Sequence, residues 1–286
     1  MFRKHCLLAG VLLSLCSPGF AKPLRIQTGI DESKLAVNLL SEAVRRSPIY
    51  SELEYAYGDD PEPATNKLIA DVKTGALDIV WLGTTSDYEQ EMTALYFPIY
   101  RGLLGMRIAL VEQDKQDILA QVRTFPEMKN YIPCQGKIWS DTFILEENGI
   151  VVAKSMKYHN LFAMLEADRC HYFPRGTFEA YAEAERYPEY NLAVDKHVLF
   201  RYKMPSFFFV SRENEALAQH LSAIFDEMID DGTFAKLFFA NPEVNNALKQ
   251  ANLNTRTIFD LHNNDLSTKT QSLPDRFWFN PLTDRY

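Results

Sequence analysis

Apolar and polar positions along the first third of the chain alternate between two periods. Leu24-Arg25-Ile26-Gln27-Thr28 has the two-residue period of a strand and stops at Gly29. Leu35, Leu39, Leu40, Ala43 and Val44 then recur at helical spacing, predicting an amphipathic helix that starts near Asp31 or Ser33. Leu53–Tyr57 reads as a second strand, closed by Gly58-Asp59-Asp60-Pro61. Ala64, Leu68, Ile69 and Val72 predict a second helix ending at Gly75, and Leu77–Leu82 a third strand running into Gly83-Thr84-Thr85-Ser86. A βαβαβ order implies an α/β fold with parallel strands covered by helices. Ligands of such sheets sit beyond the carboxyl ends of the strands, here Thr28–Asp31, Tyr57–Asp60 and Gly83–Tyr88.

The rhythm continues past a Gly- and Pro-containing connection at 97–107. A strand is predicted at Ile108–Val111, a helix at Ile118–Val122, and strands at Gly136–Trp139 and Ile150–Ala153. A helix through Leu161, Phe162, Met164 and Leu165 precedes a strand at Cys170–Phe173, and Leu199–Lys203 and Phe207–Val210 form a return segment. Leu217, Leu221, Ile224, Phe225, Met228 and Ile229 make an apolar helical stripe. Asp231-Gly232 stops that helix, and Thr233 is placed to cap the next. Residues after 252 are polar and irregular, with a late Phe277-Trp278-Phe279 cluster expected to pack on the first domain.

The N-terminus changes how the composition is read. Arg3 and Lys4, an apolar run from Leu7 to Leu15, Pro18 and a small-residue Gly19-Phe20-Ala21 site together predict a secretory signal peptide over residues 1–21. The run is too short for a permanent membrane anchor. Cys16 follows Leu15 rather than a small residue, which argues against lipidation. Removing residues 1–21 takes two cations and no acid from a chain of net charge −8. An acidic chain with no basic run is a poor nucleic-acid binder. Cys134 and Cys170 would then be the remaining cysteines, either a disulfide of an oxidising compartment or two buried small hydrophobes.

Four stretches in this order carry a resemblance: Lys73-Thr74-Gly75-Ala76-Leu77-Asp78-Ile79, Phe97-Pro98-Ile99-Tyr100, Gly136-Lys137-Ile138 and Asp231-Gly232-Thr233-Phe234. The chain is similar to the type II periplasmic solute-binding proteins that serve ABC importers of amino acids and related solutes. Gly102–Arg107, Tyr172-Phe173-Pro174-Arg175 and Phe207–Val210 look closer still to an uncharacterised branch of them. The resemblance implies a two-lobed fold, each lobe a mainly parallel sheet flanked by helices, joined by a two-stranded hinge. Residues 22–101 and 208–286 would form the first lobe, 105–205 the second, with Arg101, Gly102, Gly105 and Arg107 at the hinge. It implies a periplasmic monomer that closes on a small polar solute, amino-acid-like or anionic. A permease or a membrane sensor would read the closed state. One departure stands out. Amino-acid-binding members carry an Arg after the third strand to clamp the ligand carboxylate, and Thr84–Glu91 contains no Arg or Lys.

Candidate ligand residues follow from strand-end positions. Arg175, between Pro174 and Gly176, either forks onto an anionic ligand or pairs within its lobe, and its place favours the ligand. Thr84, Thr85 and Ser86 offer hydroxyls and amides, or simple turn chemistry. Ser140, Asp141 and Thr142 combine a helix N-terminus with capping residues. Tyr57, Asp59, Asp60 and Asp31 could line the first lobe, or form a solvated acidic turn. Arg101 and Arg107 are expected to pair with acids. Catalytic and metal motifs are absent: G-x-S-x-G, P-loop and H-E-x-x-H do not occur, and no histidines stand at ligand spacing. The sequence therefore predicts neither a cofactor nor a metal. The enzymatic alternative is a dehydratase-like acid–base site drawing on Glu89, Asp141 or Glu179.

Overall fold

The structure, a computed structural model, describes residues 21–27, 34–58 and 63–284. β1 (Lys22–Ile26), α1 (Leu35–Arg46), β2 (Tyr50–Tyr55), α2 (Thr65–Thr74) and β3 (Val80–Gly83) form the predicted βαβαβ run. β1 and β2 pair in parallel, and Ile26 bridges Ile79 in parallel just before β3. Asp78 fixes that junction: its carboxylate accepts from the Arg25 backbone N–H at 2.9 Å, Nε at 3.0 Å and Nη2 at 2.8 Å. Gly75, at φ 77°, ends α2 in the left-handed conformation that glycine adopts without cost.

α3 (Ser86–Glu91) and β4 (Thr93–Leu95) follow, and β5 (Met106–Glu112) carries the chain into the second half. There α4 (Phe125–Met128), β6 (Cys134–Gly136), α5 (Ser140–Glu147), β7 (Ala153–Ser155), α6 (Tyr158–Glu166), β8 (Phe173–Gly176), α7 (Ala180–Arg186), β9 (Leu192–Val194) and β10 (Val198–Arg201) follow in order. β11 (Ser206–Val210) returns to pair between β3 and β4. α8 (Glu215–Asp230), α9 (Thr233–Ala240) and α10 (Pro242–Ala251) then lead to β12 (Thr257–Asp260) and α11 (Thr268–Gln271).

The sheets are mixed rather than mainly parallel. β11 runs antiparallel to β3 and β4, and β5 runs antiparallel to β8, β9 and β10. β10 lies between β12, to which it is parallel, and β5, to which it is antiparallel. Burial follows the sequence pattern. Leu217, Leu221, Ile224, Phe225 and Met228 of α8 are covered, and the Phe225 ring stacks on Phe97 at 4.6 Å and Phe208 at 5.2 Å. Each such side chain contributes about 1.5–3 kcal/mol.

The segments at Gly105 and Tyr202 touch backbone to backbone. Tyr202 N donates to Gly105 O at 3.1 Å, and a Cβ on Gly105 would lie 1.9 Å from Tyr202 O, so only glycine fits. Gly102, at φ 84°, packs so close to Trp278 that a Cβ there would stand 2.8 Å from the ring. Cys134 and Cys170 are joined in a disulfide with Cα atoms 5.5 Å apart. Among the described residues no helix is long and apolar enough to cross a membrane.

Several local expectations are corrected. Residues 118–122 form successive turns rather than a helix, because an apolar run this short cannot offset helix nucleation. Thr124 and Glu127 start a helix further on through a capping box. Gly136–Trp139 is not a strand: β6 ends at Gly136, whose missing Cβ leaves room for Trp139 to fold back over it. The strands expected at 150–153 and 170–173 lie about a turn later, at β7 and β8. Thr233 does not cap α9. Gly232 takes the N-cap position at φ 80°, and the Asp231 carboxylate accepts from Thr233 N at 2.8 Å. The tail also differs, since β12 pairs in parallel with β10 before the aromatic cluster reaches the first core.

Candidate functional site

Beyond β3, Thr85 caps α3 by accepting from Tyr88 N, and this turn presents Glu89 to a ring of hydroxyls. Its carboxylate accepts from Thr84 Oγ1 at 2.9 Å, Tyr96 OH at 3.1 Å, Ser267 Oγ at 2.5 Å and Thr270 Oγ1 at 2.7 Å. Among the described residues no Lys or Arg forms an ion pair with Glu89. Lys269 instead stacks its ammonium on the Tyr96 ring at 3.8 Å. Burial together with the charge of Glu89 pushes the Tyr96 phenol up to about 12. Ser86 donates its backbone N–H and its hydroxyl to Asp265, both at 3.1 Å. The segment after β12 thus covers the predicted hydroxyl loop.

Further along, β5 and β8 pair with Arg107 opposite Gly176 and Ile108 opposite Arg175, which places two arginines side by side where β5 begins and β8 ends. Arg107 is 5% exposed and Arg175 7%. Arg107 Nε lies 2.8 Å from Asp141 Oδ1 and 3.2 Å from Tyr202 OH, and Tyr202 donates to Asp141 in turn. Arg175 forks onto Glu183 at 2.6 and 2.7 Å, with its guanidinium against the Trp139 and Phe173 rings. Glu179 closes the cluster. Its Oε2 accepts from Arg107 Nη1 at 3.0 Å and Gly176 N at 2.8 Å, and its Oε1 sits 2.9 Å from Arg175 Nη2. Burial works against both guanidinium charges. Asp141, Tyr202 and Glu179 outweigh it at Arg107, as Glu183 and Glu179 do at Arg175, so both pKa values are raised. Burial and the Asp141 charge likewise raise the Tyr202 phenol well above its ordinary value.

No family model and no curated relative matches the sequence. Solved structures do. A probable amino-acid ABC transporter extracellular-binding protein from Bacillus subtilis superposes with a TM-score of 0.54 at 16% identity, covering 79% of this chain and 99% of its own. The fold is that of the type II solute-binding proteins. An ancestral arginine-binding protein bound to glutamine superposes at a TM-score of 0.50 and 14% identity, covering 79% of this chain and all of its own. About a fifth of the present chain therefore lies outside each match.

Within this type II fold the predicted residues divide into groups. Thr84, Thr85 and Ser86 gather at the end of β3 as expected, but their hydroxyls bind Glu89, the Tyr88 amide and Asp265. Tyr57 donates to Asp71 at 2.6 Å, tying it to α2. Ser140 and Asp141 open α5, while Thr142 is buried and donates to Gly136 O at 2.6 Å, a structural role. Arg175 joins Arg107 in the cluster around Glu179. Arg101, at φ 49°, pairs with Asp284 at 3.1 Å and lies on the Phe238 ring, the structural pairing expected of it. Asp31, Asp59 and Asp60 lie outside the described residues. Among the described residues no three His, Cys, Asp or Glu side chains could hold a metal.

Sequence reasoning missed Tyr202, Glu183, Ser267 and Thr270. Each partner lies on an element remote in sequence or past a turn, so no spacing signals it. Sequence reasoning also placed no cavity beside Gly102 and Tyr202. One of ≈ 560 Å³ lies there, lined among others by Arg201, Lys203, His262, Gln271 and Trp278. Apart from Arg101 and Gly102 it touches none of the predicted residues, so volume and predicted chemistry point to different places.

Proposed function

We propose that this chain is a periplasmic solute-binding protein. It captures a small polar solute, amino-acid-like or otherwise anionic, between a lobe of residues 22–101 plus 208–286 and a lobe of 105–205. It works as a monomer, exported by the signal peptide at 1–21. Closing about the crossovers at Arg101–Gly105 and Tyr202, it delivers the solute to an ABC permease. The observation that carries this reading is the pair of backbone-packed crossovers, with polar strand ends on both sides of them. The structural likeness to an extracellular-binding protein of an amino-acid transporter supports it.

Glu89, Asp141 and Glu179, the acids an enzyme would need, are each held by several donors, which favours binding over turnover. A thermal-shift screen of amino acids, carboxylic acids and their amides should find a solute that raises the melting temperature of the 22–286 chain. Absence of any such solute removes the binding reading.

A further inference from the structure

The Glu179 carboxylate occupies a small polar cradle with unusual ownership. Two of its walls are guanidiniums on adjacent strands, Arg107 of β5 and Arg175 of β8, both more than nine-tenths buried. The third is the Gly176 amide at the carboxyl end of β8. All three donors converge on one carboxylate, with Arg107 Nη1 at 3.0 Å, Gly176 N at 2.8 Å and Arg175 Nη2 at 2.9 Å. The guanidiniums do not depend on Glu179, because Asp141 holds Arg107 from the other side and Glu183 holds Arg175 bidentately. The occupant is less committed than its walls. Glu179 is 41% exposed along its side chain and extends from the first residue before α7.

A further observation points the same way. A Cβ on Gly176 would stand 2.8 Å from Glu179 Oε2 and 3.1 Å from Arg107 Nη1, so the backbone is cut back where the anion sits.

We propose that Arg107, Arg175 and the Gly176 amide form a carboxylate-binding subsite that Glu179 fills while no solute is bound. A solute carboxylate enters by exchanging with it. The exchange is one carboxylate for another on the same donors, and Glu179 moves from a partly exposed position into water, so little charge stabilisation is lost. This supplies the carboxylate-binding cations that the loop after β3 lacks. It rests on the solute-binding reading above for its biological ligand, but not for its test.

The test uses sodium acetate as probe, with sodium chloride at equal ionic strength as reference. In Glu179→Ala the cradle is empty, and acetate should raise the melting temperature at a concentration about tenfold lower than the unchanged chain requires. Glu179→Gln, which fills the cradle with a neutral amide held more weakly than a carboxylate, should respond between the unchanged chain and the alanine variant. If the alanine variant folds and acetate acts on all three chains alike, the subsite does not exist. If it does not fold, Glu179→Asp reads the same gap, because the carboxylate is retracted by one methylene. A larger acetate response than the unchanged chain supports the subsite, and an equal one overturns it. An acetate response of the alanine variant, with no hit for the unchanged chain in the solute screen, would remove the transport reading and leave the subsite standing. A hit without an acetate response would do the reverse.

Discussion

Glu89 receives hydrogen bonds from four neutral hydroxyls, whereas Glu179 is gripped by two guanidiniums and an amide. Both lie past the end of a strand, Glu89 after β3 and Glu179 after β8. The hydroxyl ring stabilises charge without cancelling it, and any one donor can leave without stranding a second charge. The guanidinium cluster interlocks five charged groups. Removing either arginine leaves a buried acid, Asp141 or Glu183, without its cation. Replaceable donors suit a fixed anchor between segments, and a filled cation pair suits exchange of one anion for another.

The contrast can be broken most forcefully at Arg107. Arg107→Met should cost about 3–5 kcal/mol in urea unfolding, because Asp141 loses its cation in a buried site. A cost below that of a single hydroxyl would erase the distinction. Thr84→Val, which keeps the shape and removes one of four donors to Glu89, should cost about 1.5 kcal/mol by the same measurement. The smallest effect is on titration. The folded state holds the Tyr96 phenol at about 12 through burial and the charge of Glu89. An unfolded tyrosine ionises near pH 10. The stabilising contribution is therefore complete below pH 10 and is lost as pH rises towards 12. Glu89→Gln should bring the phenolate absorbance of Tyr96 in at lower pH. An unchanged titration would mean that the Glu89 charge is already neutralised.

Much of the fold was legible because it rests on local periodicity. The βαβαβ run, the α8 stripe and the glycine end of α2 each need only a window of a dozen residues. Asp78 was legible as a motif, and the structure supplies its reason in the three bonds to Arg25. The site was legible only by position. Arg175 stands at a strand end as read, yet its partners come from the following turn and helix, and Tyr202 reaches Asp141 from 61 residues away. The Ser267 and Thr270 hydroxyls are nearly two hundred residues from Glu89 in a stretch that reads as irregular. No periodicity encodes such contacts. The helix misread at 118–122 failed for the opposite reason, since apolar composition without length does not nucleate.

The segment after β12 also bears on how the molecule can move. Asn264 donates to Glu147 at the end of α5, and its immediate neighbour Asp265 accepts from Ser86 at the start of α3. Asn148 and His262 exchange two further bonds alongside. In the two-lobed reading proposed above, two bodies joined by a pair of adjacent strands would keep one rotation, about the line of those strands. A third attachment away from that line would close a mechanical loop and restrain that rotation. Opening the proposed lobes would then break these exposed hydrogen bonds, at about 1 kcal/mol each. Shortening or loosening this clasp at Asn264 and His262 would retune the proposed closure from outside the guanidinium cluster.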